Sequence, residues 1–289
     1  MRIGFVIVTY NRSEALTVLL QALAPQCSAQ DVVVVADDGS RPSHVDALLG
    51  DLPACAAPMR HVWHPDVGFT AGRARNLGVA VARELGVDYV VFMDGDCVPG
   101  PGFAQAHRAL AQAGCFVNGS RVLLSPCLTD RVMSRQVDLH RLGWWDWLRL
   151  RWSGDVNKLG HLVEWPSLPG RRERAFRWQG IRSCNFGAWL SDLEAVDGFD
   201  ETFSGWGHED ADLVLRLHNH GLMRKNGHWA TEVFHLWHRE QAREREAGNR
   251  QRVQARQRAG TTRAEVGLSH ARLTPPVQVS VLGVQQGAS

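Results

Sequence analysis

The sequence lacks paired cysteines, a large net charge and any long hydrophobic run. Its six cysteines are scattered and form no Cys-x-x-Cys pair, which favours free thiols over a disulfide framework or a zinc site. The net charge is only +2, so the composition does not indicate a nucleic-acid partner. No segment reaches the roughly 20 apolar residues of a membrane span, and the apolar N-terminal stretch is too short for a secretory signal. We therefore expect a cytoplasmic protein.

Two common nucleotide-binding motifs are also missing. The sequence contains no GxxxxGK[ST] loop, and its glycine spacing does not fit GxGxxG. These absences disfavour P-loop ATPases and dinucleotide-dependent enzymes.

The first third of the chain alternates strand-like and helix-like segments. Apolar runs of strand length occupy residues 3–10, 31–40 and 88–96, whereas residues 13–23 and 71–85 have helical periodicity. Continuous apolar strands separated by helices indicate a parallel sheet that is covered on both faces. Ligands of such sheets bind beyond the carboxyl ends of the strands, so the polar residues that end these strands are candidates for a site.

An acidic pair ends the third strand. Asp94 and Asp96 are two residues apart in an extended segment, so their side chains can face the same way, and Gly95 allows a ligand to approach the backbone. Carboxylate oxygens suit Mg²⁺ or Mn²⁺. A polar turn after a strand is the alternative interpretation of this pair.

Two further segments could contact a nucleotide. Asp37 and Asp38 end the second strand, where a carboxylate can accept a hydrogen bond from a base or a ribose hydroxyl, although a solvated turn is also compatible. Arg73, Arg75 and Asn76 stand at a helix start in the glycine-punctuated stretch GFTAGRARNLG. Guanidinium groups and free backbone N–H groups together suit a diphosphate.

The stretch SGWGHEDADLVLRL (residues 204–217) leads into an amphipathic helix. The helical spacing places Asp210 at the top of the inward-facing stripe, at the positive end of the helix dipole. It places Asp212 and Arg216 on the outer side, where they would form a surface pair. Trp206 offers a flat apolar surface for a sugar ring, and a carboxylate here could deprotonate an attacking hydroxyl. A capped helix with a packed tryptophan is the alternative.

Residues 230–238 (ATEVFHLWH) form the last predicted strand, and two histidines lie near its end. A neutral imidazole of His235 or His238 could complete the coordination of a cation held by the acidic pair. Structural roles for both histidines are the alternative.

Residues 142–178 are rich in tryptophan and have no clear periodicity. An ordinary lid or core cluster is one interpretation of this stretch. The other is a platform for an oligosaccharide or a lipid-linked acceptor, formed by Trp144, Trp145 and Trp147 beside two arginines.

The arginine-rich segment 239–263 is polar and strongly helix-forming. It predicts a solvated helix or an oligomer contact, and peripheral attraction to an anionic membrane surface is a further hypothesis. We expect the end of the chain, residues 273–289, to be loosely held.

Taken in order, these motifs resemble the family 2 glycosyltransferases of the GT-A fold. The resemblance covers roughly residues 1–240 and is carried by VTYNR, DDGS, GRARNLG, DGD and GWGHEDADLVLRL. The last motif is similar to the G-W-G-x-E-D-x-D element of galactosyl- and N-acetylgalactosaminyltransferases.

The resemblance implies an α/β fold with a Rossmann-like, mostly parallel central sheet flanked by helices, and a C-terminal helical extension. It implies a nucleotide-binding half (1–100) and an acceptor-binding half (101–240), which leaves an arginine-rich helical tail and loose C-terminus (241–289).

The activity that the resemblance implies is an inverting, metal-dependent sugar transfer. A UDP-sugar would donate Gal or GalNAc, or Glc or GlcNAc, to a hydroxyl of a glycan or lipid-linked acceptor in bacterial polysaccharide or glycoconjugate synthesis. Mn²⁺ or Mg²⁺ would be the cofactor. The alternatives are a sugar nucleotidyltransferase and a non-catalytic carbohydrate-binding relative.

The resemblance also implies roles for individual residues. Asp210 would be the catalytic base. The implied nucleotide-binding residues are Thr9, Tyr10, Arg12, Asp38, Arg75, Asn76 and Asp94. The implied metal ligands are Asp96 and His235, with Asp94 and His238 as further candidates. The implied sugar- or acceptor-binding residues are Asn185, Gly205, Trp206, Gly207 and Glu209.

Overall fold

The chain folds around a large, mostly parallel sheet. The structure is a computed structural model that describes residues 1–176, 180–181, 183–203, 205, 207–239 and 246–283. The strands are β1 (Ile3–Thr9), β2 (Val32–Asp37), β3 (Met59–Trp63), β4 (Tyr89–Asp94), β5 (Cys97–Pro99), β6 (Cys115–Asn118), β7 (Ser120–Leu123), β8 (Arg172–Glu173), β9 (Asn185–Trp189), β10 (Met223–Asn226), β11 (Glu232–His235) and β12 (Gln278–Leu282).

Helices flank the sheet and connect its strands. The helices are α1 (Ser13–Leu23), α2 (Pro42–Leu49), α3 (Ala71–Glu84), α4 (Phe103–Leu110), α5 (Pro126–Met133), α6 (Trp144–Trp152), α7 (Leu190–Ala195), α8 (Glu209–Asn219) and α9 (Glu246–Ala259). No helix in the described part of the chain is long and apolar enough to cross a membrane.

The main sheet has the strand order β12-β3-β2-β1-β4-β9-β6-β10-β8. Strands β3, β2, β1 and β4 are parallel neighbours, and β6 and β10 are parallel to each other. A second sheet, β5-β11-β7, lies where the chain leaves β4. The predicted α/β architecture is therefore confirmed.

The central strands are buried on both faces, which explains their continuous apolar runs. In β1, Val6 packs into one core with α3, whereas Phe5 and Ile7 pack into the opposite core with α1. Helix α3 approaches the sheet closely at Gly78, where an added Cβ would lie 2.5 Å from Cγ1 of Val6. The last glycine of GRARNLG thus allows tight packing of the helix on the sheet.

The end of the chain differs from the sequence-based expectation. Residues Gln278–Leu282, expected to be loosely held, form β12 and pair with β3 as an edge of the main sheet. The alternation Val-x-Val in this short segment was too brief to predict pairing with a strand more than two hundred residues earlier. The division of the chain at residue 240 remains a prediction.

Asp212 and Arg216 were predicted to form a surface pair, and this prediction is wrong. Both side chains are completely buried, with Arg216 Nε 2.8 Å from Asp212 Oδ2. Helix α9 covers this side of α8, and Arg256 Nη1 donates to Asp212 Oδ1 at 2.8 Å. The arginine-rich helix therefore packs against the domain, so a purely solvated helix is also excluded.

Candidate active site

A cleft of about 930 Å³ lies beyond the carboxyl ends of β1 and β4. Parallel strands end at the same sheet edge, which brings sequence-distant polar residues together. The predicted site residues that line this cleft are Thr9, Tyr10, Arg12, Asp38, Arg75, Asp94, Asp96, Gly207, Glu209, Asp210, His235 and His238.

One end of the cleft carries Asp96 and two histidines. Asp96 Oδ2 accepts a hydrogen bond from Arg12 Nη1 at 2.8 Å and lies 3.3 Å from His238 Nε2. His235 Nε2 lies 3.9 Å from Asp96 Oδ1. Burial lowers the pKa of His235 despite the nearby carboxylate, which favours the neutral imidazole that can bind a metal.

These side chains fit a divalent cation. Ligand atoms of Asp96, Cys97 and His235 lie within 4.8 Å of one another. Burial raises the pKa of the Cys97 thiol, so its protonated form is favoured and it is the weakest ligand of the three. Asp96 and the two histidines offer oxygen and nitrogen ligands, which suit Mn²⁺ better than thiolate ligands do.

Asp94 and Asp96 bind different arginines in the structure. Asp94 Oδ1 accepts a hydrogen bond from Arg75 Nη2 at 2.9 Å, whereas Asp96 pairs with Arg12. Both carboxylates line the cleft, and their shared role at one cation remains a prediction.

Arg75 lies at the base of the cleft between the acidic groups. Its Nη1 is 3.8 Å from Glu209 Oε1, and its guanidinium covers the ring of Phe199 at 5.1 Å. Burial lowers the pKa of Arg75, but Asp94 and Glu209 raise it by more, so the side chain stays charged. Its buried Nε and Nη1 have no hydrogen-bond partner within the described residues.

The backbone before α8 explains the GWGHED sequence. Gly205, Gly207 and His208 have φ angles of 76°, 107° and 70°, a left-handed region that glycine adopts without a steric cost. This turn ends at Glu209, the first residue of α8, and directs Glu209 and Asp210 into the cleft. Both carboxylates therefore lie at the positive end of the helix.

The two carboxyl groups have raised pKa values. Burial, followed by the charge of Asp210, raises the pKa of Glu209 to about 7. Burial also raises the pKa of Asp210, partly offset by Arg75 and by the backbone N–H groups of Ala211 and Ser183. A carboxylate with a raised pKa is a better proton acceptor near neutral pH than an ordinary aspartate.

Tyr10 and Asp38 also line the cleft. The Tyr10 hydroxyl donates to Asp66 Oδ2 at 2.8 Å, and its ring is exposed. Asp38 accepts hydrogen bonds from the backbone N–H of Thr70 at 3.0 Å and from its hydroxyl at 2.5 Å. An exposed ring beside a fixed carboxylate suits a planar base.

Two predicted site residues lie beneath the cleft. Asn76 is fully buried and bonds the backbone N–H and carbonyl of Phe199, both at 2.8 Å. The Asn185 amide is also buried, and it donates to the Ser120 carbonyl at 3.0 Å and lies 3.2 Å from His107 Nε2. Their amides bind the protein itself because both side chains point into the packed interior, and neither residue lines the cleft.

Gly205 contributes the turn described above, and Trp206 lies outside the described residues. The cleft also contains residues that the sequence did not single out. These are, among others, Arg121, Ser183, Trp237, Glu246 and Arg250.

Helix α9 supplies two of these cleft residues, Glu246 and Arg250. The Asn249 amide holds the helix in place by donating to the Gly207 carbonyl at 2.9 Å. The polar composition of α9 gave no apolar periodicity from which this packing could have been predicted.

Residues 5–195 match the family described as glycosyl transferase family 2. The chain belongs to this family. The chain also matches, over residues 172–239, the N-terminal domain of galactosyltransferase. The resemblance inferred from the motifs is therefore confirmed.

The chain is 31% identical over 227 residues to validoxylamine A glucosyltransferase of Streptomyces hygroscopicus subsp. jinggangensis, covering 76% of this chain and 52% of that protein. It is 25% identical over 243 residues to chondroitin synthase of Escherichia coli, covering 76% of this chain and 32% of that protein. The chain thus spans about half or less of the length of these relatives.

Two solved structures share the fold. The S. aureus TarS 1-349 structure has a TM-score of 0.54 at 13% identity, over 94% of this chain and 68% of that one. The structure of GalNAc-T7 with UDP, GalNAc and Mn²⁺ has a TM-score of 0.53 at 14% identity, over 88% of this chain and 47% of that one. This likeness concerns the fold alone and agrees with the GT-A architecture.

Proposed function

We propose that the protein transfers a hexose or N-acetylhexosamine from a UDP-sugar to an acceptor hydroxyl, with inversion at the anomeric carbon. The observation that carries this proposal is that Asp96 and Asp210, which are far apart in sequence, line one cleft. The proposed transfer requires one group that binds a cation and another that accepts a proton. Asp96 suits the first role, and Asp210 suits the second.

The nucleotide end would bind UDP through several contacts. Tyr10 and Asp38 would contact the uracil, with Thr9 beside them, and Asp94 would lie near the ribose. Arg75 lines the cleft and keeps its charge, which supports a role in binding the diphosphate.

A divalent cation, Mn²⁺ or Mg²⁺, would be held by Asp96 with His235 or His238. When bound, it would stabilise the negative charge of the leaving diphosphate as a Lewis acid. Arg12 pairs with Asp96, so it would orient this carboxylate and place a positive charge near the phosphates.

Asp210 would act as the general base. Its carboxylate accepts the proton of the attacking hydroxyl while the acceptor oxygen bonds to the anomeric carbon. The bond from that carbon to the diphosphate oxygen breaks on the opposite side, and its electron pair leaves with UDP. Holding two sugars in this geometry supplies much of the rate enhancement.

Glu209 and Gly207 would contact the donor or acceptor sugar beside the base. The galactosyltransferase match supports Gal or GalNAc as the donor sugar, and the glucosyltransferase relative supports Glc. The chondroitin synthase relative supports a glycan acceptor in polysaccharide or glycoconjugate synthesis.

The test is UDP release from a panel of UDP-sugars with and without Mn²⁺, and with EDTA. Asp210→Asn should lose transfer and keep UDP binding within a few-fold, because the amide retains the shape but cannot accept the proton. Asp46→Asn, an exposed carboxylate on α2, is the matched control and should remain active. Loss of UDP binding in Asp210→Asn would assign this residue a structural role instead.

A further inference from the structure

Helix α6 exposes an unusual number of large apolar side chains. Trp144, Trp145 and Trp152 are 60%, 77% and 94% exposed, and Leu148 is 38% exposed. Soluble proteins rarely expose several large apolar side chains side by side, and such a patch usually marks an interaction surface.

The exposed side chains form one stripe. At about 100° per residue, Trp144, Leu148, Trp152 and Trp145 fall within an arc of about 100° on the helix. Arg149 lies next to one border of this stripe, and the following arginine in the sequence, Arg151, lies next to the other. We call these four apolar residues and two arginines the α6 surface.

Packing fixes the orientation of this stripe. Trp147, which lies outside this arc, is buried and stacks on Phe234 with ring centroids 5.0 Å apart and an interplanar angle of 11°. Asp146 accepts a hydrogen bond from the backbone N–H of Gly143 at 3.0 Å and fixes the helix start. The platform predicted from the sequence therefore excludes Trp147, whereas the remaining tryptophans face outward.

We propose that the α6 surface docks the protein on an anionic lipid bilayer. Tryptophan rings concentrate at the headgroup level of membranes, where one part of the ring is apolar and the indole N–H is hydrated. Arginines that border an apolar stripe can extend to lipid phosphates while their stems remain in the interface. Arg149 and Arg151 form no ion pair with any residue that the structure describes, so their charge is available to anionic lipids.

The charge distribution favours α6 over the arginine-rich helix as the membrane contact. In α9, Arg252 donates to the hydroxyl and carbonyl of Thr202, and Arg256 pairs with Asp200 and Asp212. These guanidinium groups stabilise the fold and are less available to lipid. The α6 surface combines uncommitted arginines with an apolar stripe, and both are needed for binding in the interface.

Docking through α6 would bring the cleft close to the bilayer. Phe234, on which Trp147 stacks, directly precedes His235 at the cation end of the cleft. An acceptor held at the membrane surface would then be near the transfer site. This consequence rests on the proposed function, whereas membrane binding itself can be measured without a sugar donor.

The experiment is sedimentation of the full chain with vesicles of phosphatidylglycerol and phosphatidylcholine, compared with phosphatidylcholine alone. We expect binding to the anionic vesicles with a blue shift of tryptophan fluorescence. The double variant Trp145→Ala, Trp152→Ala should bind about tenfold or more weakly, because it removes most of the apolar stripe. Arg149→Glu with Arg151→Glu should weaken binding and reduce its salt dependence.

Matched controls use exposed residues away from α6. Trp229→Ala removes an exposed tryptophan elsewhere, and Arg174→Glu with Arg258→Glu makes the same change in net charge. Both controls should bind vesicles like the wild type. All variants alter exposed side chains, so circular dichroism should show an unchanged fold.

Three results would overturn the proposal. The first is absence of wild-type binding to anionic vesicles, and the second is equal loss of binding in the α6 variants and the controls. The third is self-association that depends on the α6 tryptophans while vesicle binding does not, which would assign the surface to a second copy of the chain. UDP release without acceptor should be unchanged in the α6 variants, so failure of this proposal is distinguishable from failure of the proposed sugar transfer.

Discussion

Replacing Arg256 by alanine should destabilise the whole domain. This side chain joins α9 to two buried carboxylates, with Nη1 2.8 Å from Asp212 Oδ1 and Nη2 2.7 Å from Asp200 Oδ2. Both carboxylates are completely shielded from solvent. Removing one partner of a buried ion pair leaves a charge without full compensation, which typically costs 3–5 kcal/mol.

The remaining partners place the expected cost at the lower end of that range. Asp212 keeps Arg216 at 2.8 Å, and Asp200 keeps hydrogen bonds from Thr202 and from the Glu265 backbone. Burial raises the pKa of Asp200, but these hydrogen bonds and Arg256 lower it to about 2. Relative to 3.8, that shift corresponds to about 2 kcal/mol for all of these partners together. We therefore expect Arg256→Ala to cost about 3 kcal/mol.

Urea unfolding at several pH values measures this effect. The pKa of Asp200 is depressed in the folded state, so its contribution is present above pH 3.8 and is lost as the pH falls towards about 2. The difference between wild type and Arg256→Ala should accordingly shrink over this acidic window. Arg256→Lys should be intermediate, because lysine keeps the charge but cannot donate from two nitrogens in a fixed plane.

Arg258→Ala, an exposed change on the same helix, is the control and should unfold like the wild type. If Arg256→Ala is as stable as this control, α9 is a loosely attached appendage and the reasoning from buried charge is refuted.

Three further predictions follow from the cleft and the core. Burial raises the pKa of Glu209 and Asp210, so the pH below which kcat/KM falls should lie above the ordinary carboxyl range. Glu209→Gln should lower this pH. A fall in kcat/KM that begins only near pH 4 in the wild type would contradict the prediction. Asp96→Asn should raise the half-saturating Mn²⁺ concentration in the UDP-release assay at least about tenfold, and an unchanged value would remove this carboxylate from the cation site. Gly78→Ala should destabilise the fold by about 1–3 kcal/mol in thermal unfolding, because its Cβ would overlap a valine of β1; an unchanged melting temperature would show that α3 can move away.

The strand-end motifs could be located from the sequence with little ambiguity. The runs before Thr9, Asp37 and Asp94 are apolar throughout, and such strands are buried on both faces of a parallel sheet. Their polar termini must then meet at one edge, as the cleft confirms for Tyr10, Asp38 and the acidic pair. The two glycines before Asp210 allow the positive φ angles of the turn that directs it inward.

The orientation of individual polar side chains was harder to predict. Asn76 and Asn185 stand within the right segments, but their amides hydrogen-bond the protein interior. Helical spacing placed Asp212 and Arg216 correctly relative to each other, yet it could not show that another helix would cover them. Burial of a charged pair depends on partners that come from elsewhere in the chain, here Arg256.

The sequence by itself determined β1, β2 and β4, the helices α1 and α3 that cover them, and the sheet edge at which the acidic groups gather, because apolar periodicity and turn residues are local properties. Only the tertiary structure decided that the arginine-rich helix packs against α8, that residues near the C-terminus add a strand to the sheet, and that the tryptophans of α6 divide between core and surface. Those outcomes depend on contacts between distant segments. The free energies of these contacts are set by burial and charge pairing, which no single segment determines alone.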